Sequence, residues 1–436
     1  MSPSGEPLIS IEICAGAGGQ AIGLHRAGFR HVGLVEIDPH AVMTLRRNIA
    51  ERSGWEWERK NCDVISGDVK EFNPFSDLKK WEGGPLEPRR LDLLAGGVPC
   101  PPFSHAGKQL GKDDERDLFP AMLKLVRDLQ PKAVMIENVR GIMDAKFADY
   151  RTWIKSELLR AGGEGDGAGY EVVDWEVLEA SNFGVPQLRP RAILVAFRKD
   201  VLVGRKFSMP RPNTVERKVT VLDALEKSME ERYAPFFEGD RAKEAKDAYT
   251  AWHAAAKNRA DLRIDGSSGI APTLVGGSRK HGGADLGPSR AKAAWRALGV
   301  SGLGVANDPD VCKEKNTADR DLFGPDGPML TVGQAAIIQG FPEEWEFAGG
   351  KTARYRQVGN AFPPPVAHAV GEEIANLLRA AKERGETPVG REAGPAAADT
   401  RPGAEKPGEA GSQSDGTLFV LSPATDRSND REGAGV

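Results

Sequence analysis

The sequence predicts an α/β fold, with a Rossmann-like, mostly parallel sheet, helices on both faces and a smaller irregular domain. Three observations support this prediction. Apolar, β-branched runs alternate with helix-like segments over the first 200 residues, a glycine-rich turn follows the first run, and an acidic residue ends the second. Such alternation is typical of parallel sheets, because the chain returns through a crossover helix before each new strand.

The elements of this sheet follow in order along the chain. The run Leu8–Cys14 alternates in polarity and is β-branched, which predicts the first strand. Further strands are predicted at 31–37, 91–95, 132–137, 170–178 and 191–198, and helices at about 20–27, 39–52, 117–129, 151–160, 331–339 and 364–381.

The composition changes near residue 200, and this change divides the chain. Residues 200–220 are rich in Arg, Lys and Pro, and residues 265–330 are Gly-rich and irregular. The last stretch is rich in Pro, Gly, Ala, Glu and Ser, which is typical of disorder. We therefore expect one domain formed by 1–199 and 336–381, a second domain at 200–335, and a disordered tail at 382–436.

The composition also excludes several classes of protein. Of the 436 residues, 40% are hydrophobic and 28% are charged, as in globular proteins. No apolar run reaches the roughly 18 residues of a membrane span, and the first residues lack the pattern of a signal peptide, so we expect a cytoplasmic protein. The four cysteines form no CxxC and the seven histidines form no HxxxH, so we expect neither a disulfide framework nor a metal.

Net charge neither favours nor excludes a polyanionic partner. The chain has 59 basic and 63 acidic residues, a formal net charge of −4. From residue 381 onward there are 7 basic and 10 acidic residues, which leaves the preceding part with a net charge of −1. A nearly neutral body can still bind DNA if its charges are segregated.

A glycine-rich turn, Cys14-Ala15-Gly16-Ala17-Gly18-Gly19, follows the first strand. Glycines here let the backbone approach a ligand at a helix N-terminus. Glu36 ends the second strand, where an acid suits a ribose diol. The pattern also fits the dinucleotide-binding fingerprint, so alone it does not distinguish NAD from S-adenosylmethionine. Asp68, where a third strand would end, could accept from an adenine amino group, although a plain turn explains it equally well.

Cys100 follows a predicted buried strand and a Gly-Gly turn, with a proline on each side. A lone cysteine is usually an inert core residue. The flanking prolines argue against a core strand and favour a rigid loop that presents the thiol. The carboxyl edge of a sheet is a suitable place for a nucleophilic thiolate, which must be populated against a free pKa of about 8.5.

Two further strand ends carry charged side chains. In Glu137-Asn138-Val139, a carboxylate leaving an apolar strand should have a raised pKa, which would let it protonate a ring nitrogen near neutrality; a capping acid is the alternative. In Gln187-Leu188-Arg189-Pro190-Arg191, the two arginines point the same way if the chain is extended, and could hold a base carbonyl and a phosphate; a solvated basic turn is the alternative. The segment 357–361 favours, in isolation, a loop before a helix.

Taken in order, these blocks resemble the DNA cytosine-5 methyltransferase family over roughly 8–200 and 329–380. The matching blocks are the glycine turn with Glu36; Asp68; Pro99-Cys100 with Phe103-Ser104; Glu137-Asn138-Val139; Gln187-x-Arg189-x-Arg191; Gln339-Gly340-Phe341-Pro342; and Gln357-Val358-Gly359-Asn360. Each block is weak alone, but their shared order makes coincidence very improbable. The resemblance implies a bacterial-type, S-adenosylmethionine-dependent DNA (cytosine-5-)-methyltransferase.

The resemblance also implies roles for single residues. Cys100 would attack C6 of cytosine, Glu137 would hydrogen-bond N3 and the exocyclic amine, and Arg191, with Arg189 beside it, would bind O2. S-adenosylmethionine would be held by Cys14, Ala15, Gly16, Gly18, Gly19, Glu36, Ile37, Asp68, Val69, Pro99, Leu118, Asn360 and Ala361. DNA would be bound by Ser104, Lys108 and Arg116, in a mobile loop at 101–118, and by Arg279 and Lys280 in a target-recognition domain at 200–335.

Two positions depart from the family pattern. Cys14 stands where the family usually has Phe, and Ile37 where an aromatic residue sometimes stacks on adenine. Both departures concern the packing of adenine and leave the chemistry untouched. The target base would have to be flipped out of the duplex, since C6 is not accessible within it. We expect a monomer, with duplex DNA as substrate and a cognate restriction endonuclease as a functional partner.

Three other functions compete with this interpretation. A tRNA cytosine-5 methyltransferase would share the catalytic blocks, but the long insert at 200–335 favours duplex DNA. An NAD(P)-linked oxidoreductase would explain the glycine turn and leave Cys100, Glu137 and the paired arginines unexplained. A catalytically dead DNA-binding homologue is disfavoured, because Cys100, Glu137 and Arg191 are all present.

Overall fold

A seven-stranded sheet forms the centre of the computed structural model, which describes residues 7–99, 117–162, 169–212, 217–276 and 284–385. The strands are β1 (Leu8–Ile13), β2 (Phe29–Glu36), β3 (Asp63–Ser66), β4 (Leu93–Gly97), β5 (Ala133–Val139), β6 (Tyr170–Glu179) and β7 (Pro190–Arg198), in the order β3-β2-β1-β4-β5-β7-β6. β7 is antiparallel to β5 and β6, and the other neighbours are parallel. The predicted mostly parallel α/β sheet is confirmed.

Helices connect the strands and cover them. Those of the first 202 residues are α1 (Gly19–Arg26), α2 (Pro39–Glu51), α3 (Glu56–Asn61), α4 (Pro74–Asp77), α5 (Phe119–Leu129), α6 (Ala148–Arg160) and α7 (Lys199–Leu202). Those that follow are α8 (Val221–Tyr233), α9 (Ala242–Asp261), α10 (Ser289–Ala297), α11 (Pro309–Glu314), α12 (Ala318–Asp321), α13 (Val332–Ile338), α14 (Lys351–Asn360) and α15 (Pro364–Gly385).

Both faces of the sheet are buried, which explains why its strands are apolar runs. On one face, Ile11 of β1 belongs to the same core cluster as Leu123 of α5. On the other, Leu93 of β4 belongs to a cluster that contains Val370 of α15. Parallel strands covered on both sides lose the simple alternation of polar and apolar residues. The sheet is therefore rigid where its strand ends carry functional groups.

The region between α7 and α13 is mainly helical in its described part. The long helices α8 and α9 come first. The described part of the Gly-rich stretch that follows contains a 3-10 turn at Ser267–Gly269 and the short helices α10, α11 and α12. A capping box starts α8, in which Thr220 and Asp223 exchange hydrogen bonds. Arg279 and Lys280 lie outside the described residues.

The end of α14 differs from the sequence expectation. The segment 357–361 favoured a loop, but α14 continues to Asn360. Tertiary contacts explain the difference. Gln357 accepts a hydrogen bond from Thr44 at 2.6 Å and donates to the carbonyl oxygen of Ala348 at 2.8 Å. Because these partners are distant in sequence, local propensity does not anticipate them.

Two structural absences concern the described residues alone. Among their helices, none combines the length and the apolar character needed to cross a membrane. Their histidine, cysteine and acidic side chains nowhere gather in a group of three that could hold a metal ion.

Candidate active site

A cavity of about 300 Å³ lies at the carboxyl ends of β1, β2 and β4, next to the end of α14. In open α/β sheets this edge is where ligands bind. The predicted cofactor residues that line the cavity are Cys14, Ala15, Gly16, Glu36, Gly19, Pro99, Asn360 and Ala361. Glu137, predicted as a catalytic residue, lines it as well. The structure thus gathers residues from both ends of the sequence around one space.

The glycine turn takes its shape from positive φ angles. Gly16 has φ +54° and Gly18 has φ +92°, which is backbone geometry that favours glycine. Gly18 also needs to lack a side chain, since an added Cβ would stand 2.9 Å from Cζ2 of Trp345. Gly16 has nothing within 4 Å of an added Cβ, so that side of the turn is open. The turn therefore presents backbone to the cavity while its other side is packed.

Glu36 is fixed in place by two backbone donors. Its Oε2 accepts from the Gly16 amide and its Oε1 from the Asp38 amide, each at 2.7 Å. Asp38 caps α2 through hydrogen bonds from the amides of His40 and Ala41. A carboxylate that accepts two amide bonds is strongly oriented and still has lone pairs left for a ligand. Glu36 thus joins the glycine turn to the next helix at the wall of the cavity.

Two buried polar side chains in the cavity wall have unsatisfied atoms. Glu12 is 1% exposed and Gln20 is 3% exposed. Within the described part of the chain, Glu12 Oε2 and both polar atoms of Gln20 have no hydrogen-bond partner. Burial, and then the charge of Glu36, raise the pKa of Glu12 well above its usual value. Buried polar groups are nearly always paired, so these orphans indicate a polar ligand that bonds to them.

Glu137 and Arg191 form an ion pair between neighbouring strands. Arg191 Nε lies 2.8 Å from Glu137 Oε1. Burial raises the pKa of Glu137, and the charge of Arg191 opposes that rise. Arg191 stands opposite Val139 in the antiparallel β5–β7 pair, which brings the start of one strand to the end of the other. A carboxyl group with a raised pKa, held by a guanidinium, can exchange a proton with a bound base.

The segment before Cys100 is tied to Glu137's strand. Gly97 pairs with Glu137 in the β4–β5 register. Asn138 Nδ2 donates to the carbonyl oxygen of Val98 at 2.8 Å. Cys100 itself lies outside the described residues, as do Ser104, Lys108 and Arg116. The described chain therefore leads to Pro99, which lines the cavity, two residues after a strand that is paired with Glu137's.

Arg189 is in a different environment from Arg191. It is 1% exposed and is not among the residues that line the cavity. Its guanidinium donates to the carbonyl oxygens of Leu274, Gly359 and Ala361 at 2.7, 2.8 and 2.9 Å. Burial lowers its pKa. The predicted action of Arg189 on the substrate stays a prediction, and its contacts favour a role in holding these segments together.

The other predicted cofactor residues lie off the cavity wall. They are Gly18, Ile37, Asp68, Val69 and Leu118. Ile37 is 67% exposed, directly after Glu36, where its side chain is accessible to a ligand. β3 ends at Ser66, which pairs with Glu36, so Asp68 follows two residues beyond the same edge. Asp68 Oδ1 accepts from the Lys70 amide at 2.9 Å, as a turn-forming aspartate does. Val69 is buried.

Sequence reasoning missed several residues of the cavity wall. They are Glu12, Ala17, Gln20, Asp38, Ala41, Gly97, Arg356, Gln357 and Phe362. Glu12 had a usable signal, since an acid inside a strand of apolar, β-branched residues is costly unless it serves a purpose. Gln357 stood in a matching block but was given no role, and Arg356 had no signal, because its approach depends on the packing of α14 against α2.

A second cavity, of about 370 Å³, lies beside Leu188. Its polar lining consists of Arg259, Arg263, Ser267 and Ser268. Within the described ranges, neither arginine forms an ion pair, and the buried Nε of Arg259 has no hydrogen-bond partner. Asp265 is nearby, and hydrogen bonds from Ser267, followed by the charge of Arg263, lower its pKa. The Leu188 carbonyl accepts from Thr273 Oγ1 at 2.5 Å, which ties this cavity to the strand that carries Arg191.

Comparison with known proteins identifies a family and close relatives for this chain. The family model described as C-5 cytosine-specific DNA methylase matches residues 8–376. The chain is 43% identical to the Type II methyltransferase M.NaeI of Lentzea aerocolonigenes over 374 residues, which cover 86% of this chain and 76% of that protein. It is 40% identical to the Type II methyltransferase M.NgoMIV of Neisseria gonorrhoeae over 375 residues, which cover 85% of this chain and 98% of that protein.

A solved structure shows a similar fold. The crystal structure of a prophage-encoded DNA modification methyltransferase of Escherichia coli superposes with a TM-score of 0.50 at 22% identity, over 85% of this chain and 99% of that one. At this identity the likeness concerns the fold alone.

Proposed function

The chain belongs to the C-5 cytosine-specific DNA methylase family and is a DNA cytosine-5 methyltransferase, and from this premise we propose that it methylates C5 of a cytosine flipped out of a specific duplex sequence, through a covalent bond between Cys100 and C6. The observation that carries the proposal is the Glu137–Arg191 ion pair, with Glu137 in the wall of the same cavity as the glycine turn. This arrangement puts a group that can bind a base beside a site that can bind a methyl donor.

The cavity has the chemistry that S-adenosylmethionine requires. Glu36 is oriented to accept from hydroxyl groups such as those of a ribose. Glu12 and Gln20 have unsatisfied atoms that fit the charged amino-acid end of such a ligand. The Asn360 side chain lines the same wall and has no hydrogen-bond partner among the described residues. When bound, S-adenosylmethionine supplies an electrophilic methyl group on its sulfonium.

The residues of this chain would prepare the base for that group. The Cys100 thiolate would bond to C6, which makes C5 electron-rich. Glu137, whose raised pKa favours the protonated form, would donate to N3 and so stabilise the adduct. Arg191 would bind O2 and hold Glu137 in place. After C5 is methylated, loss of the C5 proton would break the S–C6 bond and release Cys100.

Duplex DNA would be bound by the region at 200–335, in addition to the loop residues Ser104, Lys108 and Arg116 and the candidates Arg279 and Lys280. Among the described residues, support for such binding comes from the cavity beside Leu188, whose two arginines lack acidic partners in ion-pair contact. Cations of this kind are suited to phosphate groups of a DNA backbone. We assign 1–199 and 336–381 to the catalytic domain, since they supply the lining of the cavity at the carboxyl ends of the strands.

The relatives named above support a role for the reaction in a restriction-modification system. Both are Type II methyltransferases of bacteria. A cognate restriction endonuclease would be the functional partner, with methylation protecting the host's own sites. The cytoplasm is then the expected compartment, because the DNA substrate is there, and a monomer would suffice for the reaction.

Covalent trapping on DNA tests the proposal. With S-adenosylmethionine and duplex DNA that contains 5-fluorocytosine, the wild-type protein should form a complex that survives denaturation, because fluorine at C5 prevents the release of Cys100. Cys100→Ala should form none. Cys312→Ala, which alters a buried cysteine far along the chain, serves as the matched control and should still be trapped.

Two outcomes would contradict the proposal. A stable complex with Cys100→Ala would remove Cys100 as nucleophile. Transfer of labelled methyl groups to tRNA but not to DNA would replace the substrate. Bisulfite sequencing of DNA from cells that express the wild-type chain should show methylation at one recurrent sequence.

A further inference from the structure

We propose that Gly276 is a positioning residue for the cofactor: it lets the segment 271–276 lie directly against Asn360 and so sets where the Asn360 amide stands in the cavity. The inference rests on the proposed binding of S-adenosylmethionine. It gives Gly276, which belongs to the candidate recognition region, a role in the cofactor site. The residues that line that site are distant from Gly276 in sequence.

The contact between the two segments leaves no room for a side chain. A Cβ on Gly276 would overlap Oδ1 of Asn360 and stand 2.7 Å from its Cγ. A Cβ on Gly359 would stand 2.6 Å from the Gly276 amide nitrogen. The two glycines therefore face each other, backbone to backbone. Real Cβ atoms do not approach other atoms this closely, so any larger residue at 276 must displace either the segment or the Asn360 side chain.

The segment cannot move away easily, because Arg189 fixes both sides of the contact. One guanidinium donates to the Leu274 carbonyl on the recognition side, and to the Gly359 and Ala361 carbonyls on the cofactor side. Gln187 Oε1 accepts from the Leu274 amide at 2.8 Å. All these groups are buried, and buried hydrogen bonds are costly to break.

A second glutamine fixes the cofactor side independently. Gln339 Nε2 donates to the Ala361 carbonyl at 2.5 Å, and its Oε1 accepts from Gln187 Nε2 at 2.6 Å. The backbone on each side of Asn360 is thus held by buried side chains. The Asn360 amide itself has no hydrogen-bond partner among the described residues, so its position depends on what it touches. Gly276 lies directly against it.

A methyl group at 276 should therefore push the Asn360 amide and leave the clamped backbone in place. We expect Gly276→Ala to weaken the binding of S-adenosylmethionine by up to about tenfold, as the loss of one hydrogen bond from the Asn360 amide would. The melting temperature should change little. Calorimetric titration of the full chain with S-adenosylmethionine, and with S-adenosylhomocysteine, measures the affinity without requiring turnover.

A matched control lies at the start of α14, the helix that ends at Asn360. Gly350 directly precedes α14, and an added Cβ there meets nothing within 4 Å. Gly350→Ala should bind both ligands as the wild type does. If Gly350→Ala weakens binding as much as Gly276→Ala, the contact with Asn360 is not the cause.

A double-mutant cycle separates positioning from general packing. Asn360→Ala removes the atoms that a Cβ at 276 would strike, so adding Gly276→Ala to it should cause no further loss of affinity. An equal loss in both backgrounds, or no loss in the wild-type background, would overturn the proposal. If Gly276→Ala alone does not fold, recovery of folding by Asn360→Ala supports the contact and failure to recover contradicts it. Absence of S-adenosylmethionine binding by the wild type would instead contradict the proposed function.

Discussion

The indole Nε1 of Trp345 donates a hydrogen bond to the carbonyl oxygen of Ala17 across 2.9 Å, although 328 residues separate the two. The same ring packs against Gly18. Close by, the Ala348 amide donates to Thr44 Oγ1 at 2.8 Å. The segment that carries Trp345 therefore holds the glycine turn and α2 together.

Replacing Trp345 by Phe should loosen this turn. The substitution keeps a ring against Gly18 but removes the donor, so the buried Ala17 carbonyl loses its partner. We expect the free energy of unfolding to fall by about 1–3 kcal/mol, and S-adenosylmethionine to bind several-fold more weakly. Urea unfolding and calorimetric titration measure the two effects. Trp295→Phe is the control, because the Nε1 of the fully buried Trp295 has no hydrogen-bond partner to lose. Equal losses in both variants would mean that ring size, not the hydrogen bond, is responsible.

Glu12→Gln should stabilise the ligand-free protein at neutral pH. Because burial raises the pKa of Glu12 above its usual value of 4.5, the stability from its protonation is fully present below that value and is lost as the pH rises through the folded pKa. Glutamine has no charge to bury, so the variant should unfold at higher urea than wild type near pH 7 and at a similar concentration near pH 4. The difference should be about 1–3 kcal/mol. A variant that is less stable at pH 7 would show that the carboxylate is satisfied in the folded protein.

Arg191→Met and Arg189→Met should differ in how the free energy of unfolding depends on pH. Loss of Arg191 removes the charge that opposes the raised pKa of Glu137, so that pKa should rise further. The free energy of unfolding of Arg191→Met should therefore decrease more steeply with rising pH than that of the wild type. The rate of methyl transfer should fall by about 100-fold or more. Loss of Arg189 removes the donor from the buried Leu274 and Gly359 carbonyl oxygens, while the Ala361 carbonyl keeps Gln339. It should lower the free energy of unfolding by about 3 kcal/mol or more even at low pH, with a weaker added dependence on pH than in Arg191→Met, because the charge of Arg189 opposes the raised pKa of Glu137 less than that of Arg191 does. Urea unfolding at several pH values distinguishes them, and similar pH profiles for the two variants would contradict the assignment.

The arginine pair beside Leu188 should contribute to DNA binding. With Arg259→Gln and Arg263→Gln combined, the slope of log K against log salt for duplex DNA should decrease by about 1 for each lost phosphate contact. The affinity for S-adenosylmethionine should not change. Arg241→Gln is the control, since Glu244 and Asp319 already neutralise that arginine. An unchanged slope in the double variant, by fluorescence anisotropy at several salt concentrations, would exclude this cavity as a phosphate site.

The sequence predicted the sheet because its signals are local. The apolar run at 8–14 and the glycine turn after it specify a strand and a turn without help from the rest of the chain. Glu36 could be placed at the cavity because parallel strands end at one edge. Asn360 was assigned by family resemblance, whereas the local pattern around it favoured a loop. Its helix depends on Gln357, which bonds to Thr44, 313 residues away in sequence.

Residues with distant partners were the ones that sequence reasoning could not resolve. Arg189 and Arg191 are indistinguishable in a motif two residues apart. In the structure one is surrounded by backbone carbonyls from two other segments, and the other meets a single carboxylate. Similarly, nothing near Gly276 in sequence indicates that Asn360 lies against it. The chemical type of these residues is visible in the sequence, but their partners follow from tertiary packing.

The reversed direction of β7 also restricts how this gene can vary in length. Because β7 runs against β5, Arg191 at its beginning reaches Glu137 near the end of β5. Adding or deleting one residue within β7 after Arg191 would shift Arg191 by about 3.3 Å against β5 and turn its guanidinium to the other face of the sheet. Insertions between α7 and α8, by contrast, leave that register untouched. Length variation among descendants of this gene should therefore collect after β7 and be absent within it.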